Sequence, residues 1–147
     1  MKATGIVRRI DDLGRVVIPK EIRRTMRIRE GDPLEIYTDR EGEVIFKKYS
    51  PIGELNSFAA QYAETLHKIC GMAVVICDRD AVIACAGLPK KDYLEKKLSS
   101  ELDEIIEGRA PYHFLPGSNE IHVTSDSQSA SISCAVPIIA DSDLIGC

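Results

Sequence analysis

One short stretch, residues 14–24, constrains the fold of this chain more than any other. It contains three consecutive β-branched residues, Val16 to Ile18, which favour an extended backbone. Pro19 then ends the strand, because proline cannot donate a hydrogen bond to a sheet but suits the first turn of a helix. The sequence therefore predicts a short strand followed directly by a short helix over residues 20–28.

The predicted helix carries positive charge. Ile22 and Met26 are four residues apart and share one face, which leaves Arg23, Arg24 and Arg27 on the flanks or the opposite side. Residues 1–29 contain nine lysines and arginines against three acidic residues, a balance of +6. Such a concentration of cations predicts a surface that binds a polyanion.

The charge is divided unevenly along the 147 residues. Residues 1–50 carry 12 basic and 9 acidic residues (+3), whereas residues 51–147 carry 7 and 14 (−7). Proline and glycine occur at the switch, at Pro51 and Gly53. We therefore predict two domains, residues 1–50 and residues 51–147, of which the first binds the polyanion.

The first domain is expected to be rich in strands. Besides the elements above, we predict a strand over residues 3–10, a turn at 11–14, a helix end at 30–33, and a hairpin of strands 34–37 and 43–48. A domain of about 50 residues buries only about 60% of its unfolded surface and commonly needs a partner. We infer an obligate homodimer from its apolar residues: Val16, Val17, Ile18, Ile22, Leu34, Ile36, Val44 and Phe46.

The second domain mixes helices and strands. Apolar spacing predicts helices over residues 54–69, 90–98 and 100–107, the last capped by Ser100, and strands over residues 72–77, 81–86, 120–124 and 130–140. Pro137 is expected at an edge or bulge. The strands 72–77 and 81–86 are almost wholly apolar, which predicts a central hairpin covered on both faces.

The ordered series from Thr4 through Gly14-Arg15-Val16-Val17-Ile18-Pro19-Lys20-Glu21-Ile22-Arg23-Arg24 resembles the AbrB (SpoVT/AbrB) family of bacterial transition-state regulators. The resemblance implies a dimeric swapped-hairpin β-barrel that binds double-stranded DNA. It implies DNA contacts from Arg8, Arg15, Arg23 and Arg24, with Lys2, Arg9 and Lys20 as weaker candidates. It further implies an activator and repressor of late sporulation genes that binds AT-biased DNA, located in the bacterial cytoplasm on the nucleoid.

The order of elements in the second domain resembles a GAF domain, the small-molecule sensor fold. The resemblance implies an α+β protein whose second domain senses an unknown small-molecule effector or assembles dimers into a homotetramer. Candidate pocket residues are Val75, Cys77, Ile83 and Cys85. A GAF domain continues beyond Leu144 through a full strand and a closing helix, so this domain is expected to be incomplete.

Two other classes of function compete with a regulator. Similar barrels occur in antitoxins, which use an extended acidic tail to bind a toxin, but the second domain here has alternating helix and strand patterns. An enzyme or zinc site could be drawn from His67, Cys70, His113, His122 and Cys134, yet these residues lack spacings such as CxxC or HExxH. We expect no enzyme, no cofactor and no metal site.

The cysteines and the hydropathy pattern add two expectations. No run approaches the roughly 18 apolar residues of a membrane span, so no membrane association is expected. Five cysteines without CxxC spacing predict reduced, buried thiols: Cys70, Cys77, Cys85, Cys134 and Cys147.

Overall fold

The computed structural model describes residues 4–52, 56–126 and 128–147. The chain divides into two compact units, one ending at Tyr49 and the other beginning at Ser50. Both contain helices and antiparallel strands, so the predicted α+β class is confirmed. The predicted starts of the first strand at Ala3 and of the long helix at Glu54 lie outside the described residues.

The first unit contains one short helix and one hairpin. Helix α1 spans Lys20–Thr25, and strands β1 (Leu34–Thr38) and β2 (Val44–Lys48) pair antiparallel. The Asp39 carboxylate closes the hairpin turn by accepting the backbone N–H groups of Glu41 and Glu43 at 3.0 and 2.8 Å. This is the local hydrogen bonding that favours aspartate in turns, and it confirms the predicted hairpin.

Helix α1 is three residues shorter than the predicted span of residues 20–28. Arg27 adopts a left-handed backbone (φ 51°) just past the helix end. The N–H of Ile28 donates to the carbonyl of Arg23 at 2.8 Å, and the N–H of Arg27 donates to that of Arg24 at 3.3 Å. These bonds form the usual C-terminal motif of a helix, in which a left-handed residue satisfies the last carbonyls. The helix therefore ends before Glu30–Pro33, where the prediction placed its end.

The predicted turn at residues 11–14 is present, but the strands on either side of it are not. Asp11 donates its N–H to the carbonyl of Arg15 at 3.0 Å, and Gly14 donates to the carbonyl of Asp11 at 3.1 Å. Within the described chain, neither residues 4–10 nor residues 15–19 form a strand. A β-branched sequence favours extended backbone, but a strand also requires a neighbouring segment to complete its ladder.

The second unit begins with helix α2 (Asn56–Cys70) and a hairpin of β3 (Val74–Cys77) and β4 (Val82–Ala86). Four further strands form two small antiparallel pairs. The remaining elements are α3 (Lys90–Tyr93), α4 (Ser100–Glu107), β5 (Tyr112–His113), β6 (Cys134–Ala135), β7 (Ile138–Ala140) and β8 (Asp143–Gly146).

The β3–β4 hairpin lies between two hydrophobic clusters. On one side, Ala59 and Ala63 of α2 pack with Ile76, Ala84 and Ala86. The other cluster is larger and unites the hairpin with α3, α4 and the later strands: Cys77, Val82, Cys85, Tyr93, Leu98, Leu102, Ile106, Val123, Ile132, Ala135 and Leu144. The prediction of a central hairpin covered on both faces is confirmed.

Two predictions for the helices of the second unit were wrong in detail. The predicted helix 90–98 stops at Tyr93, because Glu95 takes a left-handed conformation (φ 63°). Helix α4 has its predicted bounds, but its cap is Ser99 and not Ser100. The Ser99 hydroxyl accepts the N–H of Leu102 at 3.1 Å.

The later strands are shorter than predicted. The predicted strand 120–124 contributes only isolated pairings, His122 with Ser131 and Thr124 with Leu98. The predicted strand 130–140 is divided into β6 and β7, and Pro137 lies in the gap, as its missing N–H requires. The pair of β5 with β6 was not predicted from the sequence.

Candidate nucleic-acid interface

Three of the predicted DNA-binding arginines flank the turn at residues 11–14. Arg8 and Arg9 precede it, Arg15 follows it, and all three are exposed. The hydrogen bond from Asp11 N–H to the Arg15 carbonyl holds the two ends of the turn together. The turn therefore places cationic side chains on both of its arms.

Asp11 organises this turn through its carboxylate. One oxygen accepts the backbone N–H groups of Leu13 and Arg15 at 3.0 and 2.8 Å, and the other accepts the Arg15 guanidinium Nε–H at 2.8 Å. The bond from the Arg15 backbone, together with that from its side chain, lowers the pKa of Asp11 below its ordinary value of 3.8. Asp11 is thus ionised at neutral pH and orients Arg15, whose side chain remains 69% exposed.

The other predicted arginines lie on helix α1. Arg23 and Arg24 occupy its last turn and Lys20 its first position, and all three are exposed. Over the described part of the chain, neither Arg23 nor Arg24 has an acidic side chain within ion-pair distance. Their charge is therefore available to an outside anion. Lys2, the remaining weaker candidate, lies outside the described residues.

Apolar side chains beside these arginines are also exposed. Among the described residues of the first unit, Pro19 alone is buried. Val7 is 85%, Ile10 72% and Val17 71% exposed, and Ile36 on β1 is 60% exposed. Water contact on this scale is costly at about 25 cal/mol for each Å² of apolar surface. In a single chain, the first unit thus exposes apolar surface that a domain stable as a monomer would bury.

Lys48 is a cation that the sequence reasoning did not place near the helix. Its ammonium group donates to the carbonyl of Arg27 at 2.9 Å and lies 4.0 Å from the Asp32 carboxylate. This contact ties the end of β2 to the end of α1. Because the two residues are 21 positions apart, no local pattern could have indicated it.

The cysteines and histidines of the second unit form no recognisable catalytic set. All five cysteines are free, and Cys70 and Cys134 are exposed, so the prediction that all five are buried was wrong. His67 is held by a 2.6 Å hydrogen bond between its Nδ1 and the carbonyl of Met72. In the portion of the chain that the structure describes, no three histidine, cysteine or acidic side chains are grouped to hold a metal ion.

Two polar clefts lie elsewhere in the second unit. One, of about 290 Å³, is lined by residues that include Ser99, Glu101 and His122. The other, of about 280 Å³, includes Lys91 and Lys96. Neither is lined by the predicted pocket residues, since Cys77 and Cys85 belong to the larger hydrophobic cluster, Val75 packs against it, and Ile83 packs against the smaller one.

Comparison with known protein families identifies the chain. The model of the stage V sporulation protein T C-terminal region, described as a transcription factor, matches residues 54–147. The chain belongs to the stage V sporulation protein T family. The first unit is matched separately, over residues 7–53, by the model of MazE, a bacterial antitoxin for antidote-toxin recognition.

Individual relatives agree with this assignment. Stage V sporulation protein T of Bacillus subtilis is 55% identical over 99% of this chain and 82% of its own length. The transition state regulatory protein AbrB of the same organism is 65% identical, over 35% of this chain and 52% of its own length. The recognised SpoVT/AbrB resemblance is confirmed, and the chain is a transcription regulator of that type.

A solved structure also matches the first unit. The solution structure of the N-domain of the transcription factor AbrB is 65% identical and covers 35% of this chain and 96% of its own, with a TM-score of 0.32.

None of the helices among the described residues has the length and apolar character needed to cross a membrane.

Proposed function

We propose that the first unit binds double-stranded DNA as a homodimer, with Arg8, Arg15, Arg23 and Arg24 as the principal contacts. Lys2, Arg9 and Lys20 are assigned weaker contacts. The observation that carries this proposal is the exposure of arginines on one turn and one short helix, where, among the residues that the structure describes, only Arg15 has an acidic partner. The similarity to the transition state regulatory protein AbrB, 65% identical over 35% of this chain, supports it.

The exposed apolar residues support the dimer. Val7, Ile10 and Val17 flank the turn in segments that form no strand in the single chain. Exchange of hairpins with a second copy would supply their missing ladder partners and cover these side chains together. We therefore propose a swapped-hairpin barrel, with a native mass of at least twice 16.2 kDa.

Arginine suits the proposed role because its planar guanidinium presents a fork of donors to phosphate oxygens and to guanine edges. In the proposed complex, most arginines position the dimer on phosphates and some reach the major groove. AT-biased selection then depends on the shape and deformability of the duplex.

The test is binding of the full chain to an AT-rich duplex, measured by fluorescence anisotropy over a salt series. Each neutralised phosphate contributes about −0.9 to the slope of log K against log salt. The double variant Arg23→Ala/Arg24→Ala removes four cations per dimer, so its slope should be shallower by up to about 3.6. Binding at low salt should also weaken.

A matched control is Lys68→Ala/Lys97→Ala, which removes the same charge from exposed positions in the second unit. Its slope and affinity should remain near those of the unmodified chain. Equal losses in both variants would mean that net charge alone governs binding. No binding at low salt by a folded dimer would refute the proposed interface.

For the second unit we propose a GAF-like domain that joins two dimers into a tetramer and responds to a small-molecule effector. Support for the assembly comes from α2, whose inner alanines are buried while its outer stripe exposes Phe58 (61%), Tyr62 (53%) and Ile69 (76%). The rings of Phe58 and Tyr62 stack with centroids 6.1 Å apart. We propose that the same stripe of α2, from a subunit of the second dimer, packs against this face.

Native mass spectrometry tests this assembly. The unmodified chain should give a tetramer of four 16.2 kDa subunits, and Phe58→Glu/Tyr62→Glu should reduce it to dimers. Ser57→Glu/Gln61→Glu adds the same charge to α2 beside the stripe and should leave the tetramer intact. A dimer from the unmodified chain would remove the proposal.

Membership of the stage V sporulation protein T family supports action on late sporulation genes, as activator at some promoters and repressor at others, on the nucleoid. Transcript profiling of sporulating cells with and without the protein should show late genes changing in both directions. Unchanged late transcripts would contradict this assignment.

The alternative is an antitoxin-like DNA-binding protein whose C-terminal region binds a protein partner. The MazE match over residues 7–53 favours it. Against it, the second unit has two hydrophobic clusters of its own and is not an extended tail. The alternative would be supported by a toxic partner protein that co-purifies with the chain only when the second unit is present. The chain should also neutralise the toxicity of that partner.

A further inference from the structure

Backbone hydrogen bonds join Cys77, the last residue of β3, to Cys147, the residue that follows β8, although 70 positions separate them in the sequence. The N–H of Cys77 donates to the carbonyl of Cys147 at 2.8 Å, and the N–H of Cys147 donates to the carbonyl of Cys77 at 3.0 Å. Reciprocal bonds of this kind define a hydrogen-bonded antiparallel pair, in which the two Cα atoms are about 5.5 Å apart. That spacing lies within the range of about 4.4–6.8 Å found for disulfides.

The two side chains also approach each other. The Cys77 thiol donates to the carbonyl oxygen of Cys147 at 3.3 Å. Residues directly opposite each other in an antiparallel pair project their side chains from the same face, so the two thiols are neighbours. Packing around the pair is tight, because a Cβ on Gly146 would lie 2.1 Å from the carbonyl oxygen of Cys77. The backbone thus holds the two cysteines next to each other.

The environments of the two thiols differ. Cys77 is 2% exposed, whereas Cys147 is only partly buried. Hydrogen bonds from the Cys77 thiol and from the Val136 N–H to the Cys147 sulfur lower the pKa of Cys147. The bond to Cys147, together with burial, raises the pKa of Cys77. Because the thiolate is the reactive form, Cys147 is the thiol suited to attack and Cys77 the thiol suited to resolve.

We propose that Cys77 and Cys147 form a reversible disulfide when the protein meets a peroxide. The Cys147 thiolate attacks one oxygen of hydrogen peroxide, the O–O bond breaks, and the departing hydroxide takes a proton to become water. The Cys77 sulfur then attacks the resulting sulfenic acid, the S–O bond breaks, and the Cys77 proton leaves with the oxygen as a second water. Two thiols lose two electrons, and one peroxide becomes two waters.

The bond fastens residue 147 to strand β3. In a reducing compartment such a bond is transient, which is typical of a redox sensor and not of a structural disulfide. The site is independent of the proposed DNA interface, so its test neither requires nor decides DNA binding.

The experiment uses the full chain with Cys70→Ser/Cys134→Ser, which removes the two exposed thiols that could cross-link copies. Titration with Ellman's reagent in denaturant should find three thiols before hydrogen peroxide treatment and one, Cys85, afterwards. Intact mass should fall by two hydrogen atoms, and the peptide map should contain a single linked pair joining Cys77 to Cys147. Dithiothreitol should restore all three thiols.

Two single variants serve as controls, Cys147→Ser and Cys77→Ala. Cys147→Ser should retain its two thiols after a treatment that closes the bond in the parent. Cys77→Ala should form no disulfide, and its Cys147 should stop at a sulfenic or sulfinic acid, which leaves Cys85 as the one remaining thiol. Peptide mapping of the parent decides the matter even when a variant folds poorly. Retention of three thiols by the parent, or conversion of Cys147 to a sulfinic acid without linkage to Cys77, would overturn the proposal.

Discussion

Substitution of Ser99 by alanine tests how the second unit fixes its main helix. The Ser99 side chain is buried, with the residue 3% exposed, and its hydroxyl makes two hydrogen bonds. It accepts the N–H of Leu102 in the first turn of α4 at 3.1 Å and donates to the carbonyl of His122 at 2.7 Å. One oxygen therefore caps the helix and joins it to the segment carrying Val123, which contributes to the larger cluster.

The magnitude follows from these two bonds. Loss of a serine N-cap costs about 1 kcal/mol, in a range of about 0.5–2. Loss of the second bond leaves the His122 carbonyl without this donor, and an unsatisfied buried group costs about 1–3 kcal/mol. The effects share one side chain and do not add fully, so Ser99→Ala should lower the free energy of unfolding of the second unit by about 2–3 kcal/mol.

The assay is urea unfolding at fixed protein concentration, followed by hydrogen exchange of peptides that cover Ser100–Glu107. This readout isolates the second unit, because exchange is measured only on peptides of helix α4. The matched control is Ser100→Ala, one position further on. Ser100 is exposed, and its hydroxyl hydrogen-bonds only to the neighbouring Glu101 carboxylate in the described structure. That variant should change stability by less than about 0.5 kcal/mol.

Equal effects of the two substitutions, or a larger effect at Ser100, would refute the assignment of Ser99 as the cap. A loss below about 0.5 kcal/mol at Ser99 would refute the reasoning from its two buried bonds.

Three further predictions concern single residues. Gly146→Ala should lower stability by about 1–3 kcal/mol in thermal melts, because the new methyl meets the carbonyl of Cys77, and an unchanged melting temperature would contradict this packing. Arg27→Gly should raise stability by about 1 kcal/mol in the same melts, since glycine adopts the left-handed conformation without steric cost, and destabilisation would be the contrary result. The lowered pKa of Asp11 stabilises the turn above pH 3.8 and ceases to do so as the pH falls through the folded-state pKa. The Arg15 amide should therefore lose its protection from hydrogen exchange as the pH falls below the folded-state pKa of Asp11. In the Asp11→Ala variant, the same amide should lack this protection at every pH.

Local patterns predicted the elements whose hydrogen bonds are local. The turn at residues 11–14, the β1–β2 hairpin and the bounds of α4 all depend on partners a few positions away. The choice between Ser99 and Ser100 as cap could not be made this way. Both are serines at the correct end of the helix, and they are separated in the structure by which hydroxyl contacts the Leu102 N–H and the distant His122 carbonyl.

Other features depend on partners that no short window contains. The β-branched run at Val16–Ile18 has the composition of a strand, but the single chain supplies no ladder beside it. Lys48 reaches Arg27 across 21 positions. The arginines of the candidate interface were identifiable because their charge density and family motif are local, whereas the carboxylate that orients Arg15 became apparent only from geometry.

The pairing of Cys77 with Cys147 also sets a delay during synthesis. Strand β3 meets its first neighbour, β4, within ten residues, but the backbone partner of Cys77 is made 70 residues later. At about 5–20 residues per second, that interval is roughly 4–14 seconds. Throughout it, the end of β3 presents unpaired amide and carbonyl groups, which can be recruited by another nascent chain. The second unit is therefore most vulnerable to misassembly on the ribosome after its central hairpin has emerged and before residue 147 has been made.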